Sequence, residues 1–311
     1  RLLVLLWLLG RLGFWLSGAA GLPALALAAL AHLGLIGGLL TLLLPALRTV
    51  AGRRQHAFGW ALAALFLLAA GFYVDALRGQ YPMRWLLAVL GLVMVLIIVA
   101  MSRISMRIVN RSIDEAGEGG APYLARPPKR NLAILCIVLF TLAEFWHPGG
   151  RVSGWLAYSA ASALCNLMGD WHVGRPLLRR WPFMLYAVYV CMALGYALIG
   201  TALLAGGPGA SAGRHLLTMG ALGLSIYVVI SIAGRAHCGH PSDERPWVVQ
   251  GALLIGAGAM LRAGAAFAPE AATALLGMAG MCWVGGFGLM ALRMLPVLWG
   301  PRPDGGRSCE G

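Results

Sequence analysis

His215–Arg245 reads HLLTMGALGLSIYVVISIAGRAHCGHPSDER, and its first two thirds decide the fold. From Leu216 to Gly234 the residues are mostly apolar, softened by Gly220, Gly223 and Gly234, and none is an acid or a base. A helix needs about 20 such residues to cross a bilayer core of roughly 30 Å. The stretch therefore predicts a membrane span, closed by His215 at one rim and by Arg235, His237 and His240 at the other. Histidines at the rims of a span point to metal, haem or proton chemistry. Along a continuous helix rising ~1.5 Å per residue, His215 and His240 stand ~35 Å apart and cannot share one ligand.

The rest of the chain extends that reading. Hydrophobic residues make up 60% of the 311 and charged ones 11%, with a mean hydropathy of +0.79. A soluble domain carries about 25% charged residues. The net charge of +13 comes almost wholly from arginine, since Lys129 is the only lysine. On a soluble protein that balance would suggest nucleic acid. Here the arginines cluster in short loops between apolar runs, where they set orientation and meet anionic headgroups. Membrane lipid is the expected partner and nucleic acid is not.

Ten runs have the length and composition of spans: 1–17, 23–47, 57–78, 83–106, 131–147, 152–170, 182–204, 215–234, 247–267 and 272–299. Turn signals such as Gly21-Leu22-Pro23, Tyr81-Pro82 and Gly206-Gly207-Pro208-Gly209 separate them. The expected fold is all-α, a polytopic transmembrane bundle forming a single integral-membrane domain over 1–311. A polar loop at 107–130, carrying Asp114, Glu115, Glu118 and Pro127-Pro128, divides four spans from six.

Alternate loops carry the positive charge. Arg48, Arg53, Arg54, Arg103, Arg107, Arg111, Arg126, Lys129, Arg130, Arg175, Arg179, Arg180, Arg235, Arg245, Arg302 and Arg307 form one set. Arg78, Arg84, Arg151 and Arg214 form the other. This asymmetry places the first set, the 107–130 loop and the C-terminus in the cytoplasm. The chain opens at Arg1 inside an apolar run, without a charged leader or cleavage site. The expectation is that the N-terminus of a longer protein is missing. None of the six cysteines falls in a CxxC pair, and four lie in apolar runs, so free thiols are expected.

Two polar constellations stand out against this background. Arg11, His32, Asp75, Glu144, His147, His215 and Arg262 fall in the outer half of the membrane or at its rim. Imidazoles ligate haem iron and arginines pair with propionates, so the mixture suits a haem. The plainer reading is that Arg11 and Arg262 snorkel while the acids pair with them across helices. At the inner face lie Asn166, Asp170, His172, His237, Cys238, His240, Asp243 and Arg293. His237, Cys238 and His240 could ligate copper or zinc, although their spacing matches no usual zinc signature. Hydrated loop histidines are the alternative there. The patterns of soluble catalysis, including GxSxG, the Walker loop, GxGxxG and HExxH, do not occur.

At these residues the chain resembles the NnrS family. His215-Leu-Leu-Thr218-Met-Gly220-Ala221-Leu-Gly223-Leu is similar to the family's H-x-L-T-x-G-A-x-G-L helix, and Arg235 with Gly239-His240 to the R-x-x-x-G-H that ends it. Leu261-Arg262, Trp283, Phe287, Pro296 and Pro301-Arg302-Pro-Asp304-Gly305 resemble its last two helices and its P-R-x-D-G tail. Trp7-Leu-Leu-Gly10-Arg11 and Arg130-Asn131 match upstream. The chain departs from the family at Leu185-Tyr186-Ala-Val-Tyr189, where a histidine is usual, and at Ser102-Arg103-Ile-Ser-Met, which lacks a proline. A W-H-x-H-E motif of the family would lie before Arg1.

The resemblance implies a bacterial inner-membrane protein of about twelve spans that contains haem and copper. It also implies a link to nitric oxide and nitrosative stress, with nitric oxide or a nitrosyl species as the small ligand. On that reading His215 ligates haem iron, Arg262 and Arg11 pair with propionates, and His147 lies at the same rim. At the inner face the residues themselves suggest His237 and His240 as ligands of a soft or borderline metal such as copper, with Cys238 as a third candidate. The resemblance leaves open whether the protein catalyses a reaction. The competing expectation is a small-molecule or ion transporter without haem, which would use the same intramembrane groups as a substrate path. A respiratory oxidase core would need histidines inside several adjacent spans, and only His32 lies well inside one.

Overall fold

A computed structural model describes residues 1–48, 56–117, 122–303 and 305. Arg53, Arg54, Glu118, Asp304 and Arg307, all used above, lie outside the described residues, as does Cys309. Those described form ten long helices and no strand. They are α1 (Leu2–Ala20), α2 (Leu22–Leu47), α3 (His56–Leu77), α4 (Met83–Ala116) and α5 (Pro127–Trp146). Then come α6 (Arg151–Met168), α7 (Arg180–Ala205), α8 (Gly209–His237), α9 (Trp247–Gly264) and α10 (Ala272–Trp299). Each of the ten expected runs is a helix. Eight of the ten are long and apolar enough to cross a membrane. The other two, α5 and α6, fall short for a visible reason. Lys129, Arg130 and Glu144 charge the ends of α5, and α6 is rich in serine and other small residues.

Three boundaries differ from the sequence reading. The polar stretch after residue 106 stays helical to Ala116, because Val109 and Ile113 remain buried on one face and Arg111 pairs with Glu115 one turn on, at 2.7 Å. Pro127 and Pro128 open α5 rather than belonging to the loop, as proline does at a first helical turn. The connection is therefore much shorter than 107–130. The eighth helix starts at Gly209, after the left-handed Gly206 (φ 85°), so His215 lies about one and a half turns inside it. Within α8, Leu216–Leu222 and Ile230–Gly234 are π-helical.

The chain forms two compact units, Arg1–Leu96 with Thr141–Pro148 and Ile97–Phe140 with Gly149–Gly311. The division falls inside α4 and α5, not at the polar loop. In the first unit α1 and α2 are joined by Gly21 alone and pack as an antiparallel pair, with α3 against α2. Gly13 lets α1 approach the backbone of α2 at Ala24 and Ala28, and Ala28, Ala29 and Tyr73 are buried together. Asp75 accepts hydrogen bonds from Arg84 (2.8 Å) and Trp85 Nε1 (2.7 Å), which fixes the turn between α3 and α4.

In the second unit the packed pairs are α6 with α7, α7 with α8 and α9 with α10. Backbones meet at glycine: a Cβ at Gly195 would lie 3.0 Å from the Gly213 carbonyl, and one at Gly286 3.0 Å from that of Gly251. Lipid is as apolar as leucine, so such close packing, and not hydrophobic exclusion, holds membrane helices together.

Candidate functional site

The first unit contains a cavity of about 370 Å³ bounded by α1–α4. Leu35, Ile36, Leu65 and Leu68 supply aliphatic walls, and Phe14, Trp15 and Phe72 supply aromatic ones. Three polar side chains line it: Arg11, His32 and Tyr73. Arg11 is near the middle of α1, about nine residues or ~14 Å from either end of that helix. Among the described residues it has no ion-pair partner, although it is near enough to His32 to act on it electrostatically.

His32 occupies the first half of α2, and its Nδ1 is 2.5 Å from the Tyr73 hydroxyl on α3. Tyr73 is 5% exposed and its ring meets Phe72 edge-on. A Cβ at Gly10 would overlap the His32 ring, so glycine is required for α1 to rest against the imidazole. With Nδ1 engaged, Nε2 is the remaining ring nitrogen, and its edge rests on α1, where a Cβ at Gly10 would lie 2.5 Å from it. A histidine held through one nitrogen by a hydrogen bond is the usual arrangement behind a metal-ligating imidazole. The cavity thus combines one oriented imidazole, one intramembrane cation and a largely apolar lining. Its volume falls within the range of small-molecule and cofactor sites.

Sequence reasoning named Arg11 and His32 in one constellation with five residues that do not line this cavity, and missed Tyr73. The available signal was a tyrosine deep in an apolar run, whose hydroxyl must find a partner inside the membrane. The acids at this end do not pair with Arg11. Asp75 is taken by Arg84 and Trp85, and Glu144 is buried and engaged. His147 is exposed just beyond α5 and is not among the residues that line the cavity.

His215 and Arg262 belong to the second unit. Both are half-buried, and the Arg262 charge acts electrostatically on His215. Gly220 and Gly223 would let either a neighbouring helix or a flat macrocycle approach the backbone, and the structure places neighbouring helices there. A Cβ at Gly220 would meet Cys191 Sγ at 2.9 Å, and one at Gly223 would meet the Trp283 ring at 2.7 Å. Ala212, Leu216, Ala259 and Ala263 close the same region as a packed cluster. The family-like helix is therefore a packing helix on these faces, and the glycines serve protein neighbours.

At the other end of α8 the chain turns through Gly239 (φ 74°), with the His240 amide donating to the Arg235 carbonyl at 2.9 Å. This is the glycine cap that ends many helices, and it explains Arg235 with Gly239-His240 as a structural motif. Arg235 Nε then donates to the Pro241 carbonyl (2.8 Å), and its Nη1 lies 3.3 Å from Asp243. Asp243 also accepts from Arg245 at 2.5 Å and from Trp247 Nε1 at 3.0 Å. The Arg245 hydrogen bonds, outweighing burial, hold the Asp243 carboxyl well below the usual carboxylate range. His237 is exposed, and its carbonyl accepts from Arg302 at 3.0 Å. Among the described residues no three His, Cys, Asp or Glu side chains gather as a metal-holding group. Of the other inner-face residues, Asp170 pairs with Lys129 at 2.7 Å.

No curated protein and no solved structure matches the chain. The family model described as NnrS protein matches residues 1–302. Nearly the whole of this helical membrane chain is covered by that match, and the chain belongs to the NnrS family.

Proposed function

We propose that this protein binds haem within the bacterial inner membrane and protects the cell against nitric oxide, with its C-terminus in the cytoplasm. The observation that carries the reading is the cavity of the first unit. There an uncompensated guanidinium in the middle of α1, Arg11, lies beside an oriented imidazole, His32. A charge inside a membrane span is expensive and marks a functional path or ligand unless it is paired. The donor set fits haem. His32 Nε2 would take the iron once α1 shifts away from it at Gly10, the Tyr73 hydroxyl would hold the ring, and Arg11 would neutralise a propionate. The aromatic and aliphatic walls would exclude water from the macrocycle. When bound, the haem would supply the iron at which nitric oxide is captured. His215 and Arg262, the pair named from the sequence, are the competing assignment, in a more tightly packed region. Copper finds no comparable fit, because His237, Cys238 and His240 gather no metal-holding group among the described residues.

The test is the absorption spectrum of the full-length protein purified from cells supplied with haem. A Soret band is expected. His32→Ala should abolish or shift it, and Arg11→Ala should weaken haem retention. Loss of the band in His215→Ala, with His32→Ala unchanged, would move the site to the second unit. No Soret band in the wild type would refute the haem reading. Arg11 in its cavity would then favour the alternative, a path for a small anionic substrate.

A further inference from the structure

The first unit has a second cavity, of about 480 Å³, that shares no lining residue with the one around His32. It lies where α2 ends and α3 begins. Leu40, Leu44 and Leu47 recur at helical spacing and form one wall; Gly59, Trp60 and Ala63 form the other. The small residues on α3 keep the space open, and Trp60 is 77% exposed. Polarity is confined to one end, where Arg48 follows the last turn of α2 and His56 opens α3. His56 Nε2 donates to the Leu47 carbonyl at 2.8 Å, tying the two helix ends together and leaving Nδ1 for another partner. Arg48 has no ion pair among the described residues.

From Arg48 to Leu40 the wall runs ~12 Å along the helix. The site is therefore cationic at the helix ends and apolar for about a third of the depth of a bilayer core. A ligand that matches it carries an anion at the membrane interface and a hydrocarbon chain beneath. Interfacial tryptophan and a lone cation at the end of a span are the elements of headgroup recognition. We propose that this cavity holds one anionic phospholipid. Its phosphate would lie on Arg48, and one acyl chain along Leu40, Leu44 and Leu47. A zwitterionic lipid offers the same chain and phosphate, but its own ammonium competes for that phosphate. Net negative charge is therefore what Arg48 selects. The proposal stands whether or not the other cavity holds haem.

The experiment is native mass spectrometry of the full-length protein after delipidation. Phosphatidylglycerol and phosphatidylcholine of identical chains are titrated back in separate arms, and soluble glycerol 3-phosphate in a third. The wild type should retain one phosphatidylglycerol about fivefold more tightly than phosphatidylcholine, the factor expected for one basic residue at a headgroup. Arg48→Gln should erase that preference and Arg48→Lys should keep it. Ala63→Phe, which fills the cavity but keeps the charge, should lose the tightly held lipid of either kind. Displacement of the lipid by glycerol 3-phosphate would overturn the proposal in favour of a free-anion site. Wild-type retention and preference in both Arg48→Gln and Ala63→Phe would overturn it as well.

Discussion

Replacing Asp243 by alanine should be among the most damaging single changes in the second unit, although the residue belongs to a nine-residue connection between α8 and α9. Its side chain is 3% exposed and serves three partners. Two of them cannot turn to water when it is lost. The Arg235 side chain is only 10% exposed, and Trp247 is 4% exposed with its Nε1 on Asp243. Arg245, 55% exposed, simply rehydrates. Removing one partner of a buried ion pair costs about 3–5 kcal/mol, because the other charge is stranded. An exposed pair contributes about 0–1 kcal/mol. Asp243→Ala should therefore cost about 3–5 kcal/mol and Arg245→Ala about 1 kcal/mol or less. The double variant Asp243→Ala, Arg235→Met should recover much of the loss, since it removes both charges. Denaturant unfolding in a mild detergent, followed by tryptophan fluorescence, reads all three. If Asp243→Ala stayed within 1 kcal/mol of wild type, or the double variant were worse than the single, the stranded-charge argument would fail.

The same carboxylate gives a pH dependence. Its folded pKa is depressed mainly by the Arg245 hydrogen bonds, so its contribution is present above the unfolded value of about 4 and is lost as pH falls toward the folded value. The stability gap between wild type and Asp243→Ala should thus be constant from pH 5 to 8 and narrow below ~pH 4; a gap that widened on acidification would contradict the sign. Gly10→Ala should force His32 off its position, at a cost of about 1–3 kcal/mol for overpacking, and should lower haem retention in the full-length protein; unchanged values for both would show that α1 does not rest on the imidazole. From the alternation of loop charge, an impermeant thiol reagent should leave Cys309 unlabelled in intact spheroplasts and should label a cysteine placed at Arg214; the reverse pattern would invert the topology.

The helices were legible because one property, a run of about twenty apolar residues, sets both their existence and their order. Their ends were less so. Val109 and Ile113 continue a buried face into a segment whose composition looks like loop, and only tertiary packing shows it. The start of α8 was placed at His215 because the apolar run begins there, whereas Gly209–Arg214 is helical through its packing on α7. The site was legible residue by residue but not as a set. Nothing in the sequence links position 32 to position 73, or shows that the gaps at Gly220 and Gly223 are filled by Cys191 and Trp283. Spacing within one helix reports faces, and a site between helices depends on which faces meet.

Pairing separates the structural charges of this chain from the functional ones better than depth does. Asp75, Asp170, Asp243 and Arg235 are all buried or nearly so, and each has a partner that accounts for it: a turn clamp, a lysine contact, a loop clasp. Their types alone resemble a proton or metal path, yet each is committed to holding a connection closed. Arg11 differs in both respects. It lies in the middle of a helix, where no loop needs closing, and no carboxylate among the described residues answers it. The acids nearest in sequence logic, Asp75 and Glu144, are engaged elsewhere. A guanidinium cannot shed its proton to escape the cost of such a position. It must therefore reach the interface by snorkelling or be met by an anion that the polypeptide does not supply. The imidazole beside it, fixed by Tyr73 and pressed on Gly10, has no role in a snorkelling arginine but an immediate one in a bound ligand with an anionic edge. That conjunction makes the α1–α4 cavity, ahead of the family-like helix at His215, the first place to test for the proposed haem.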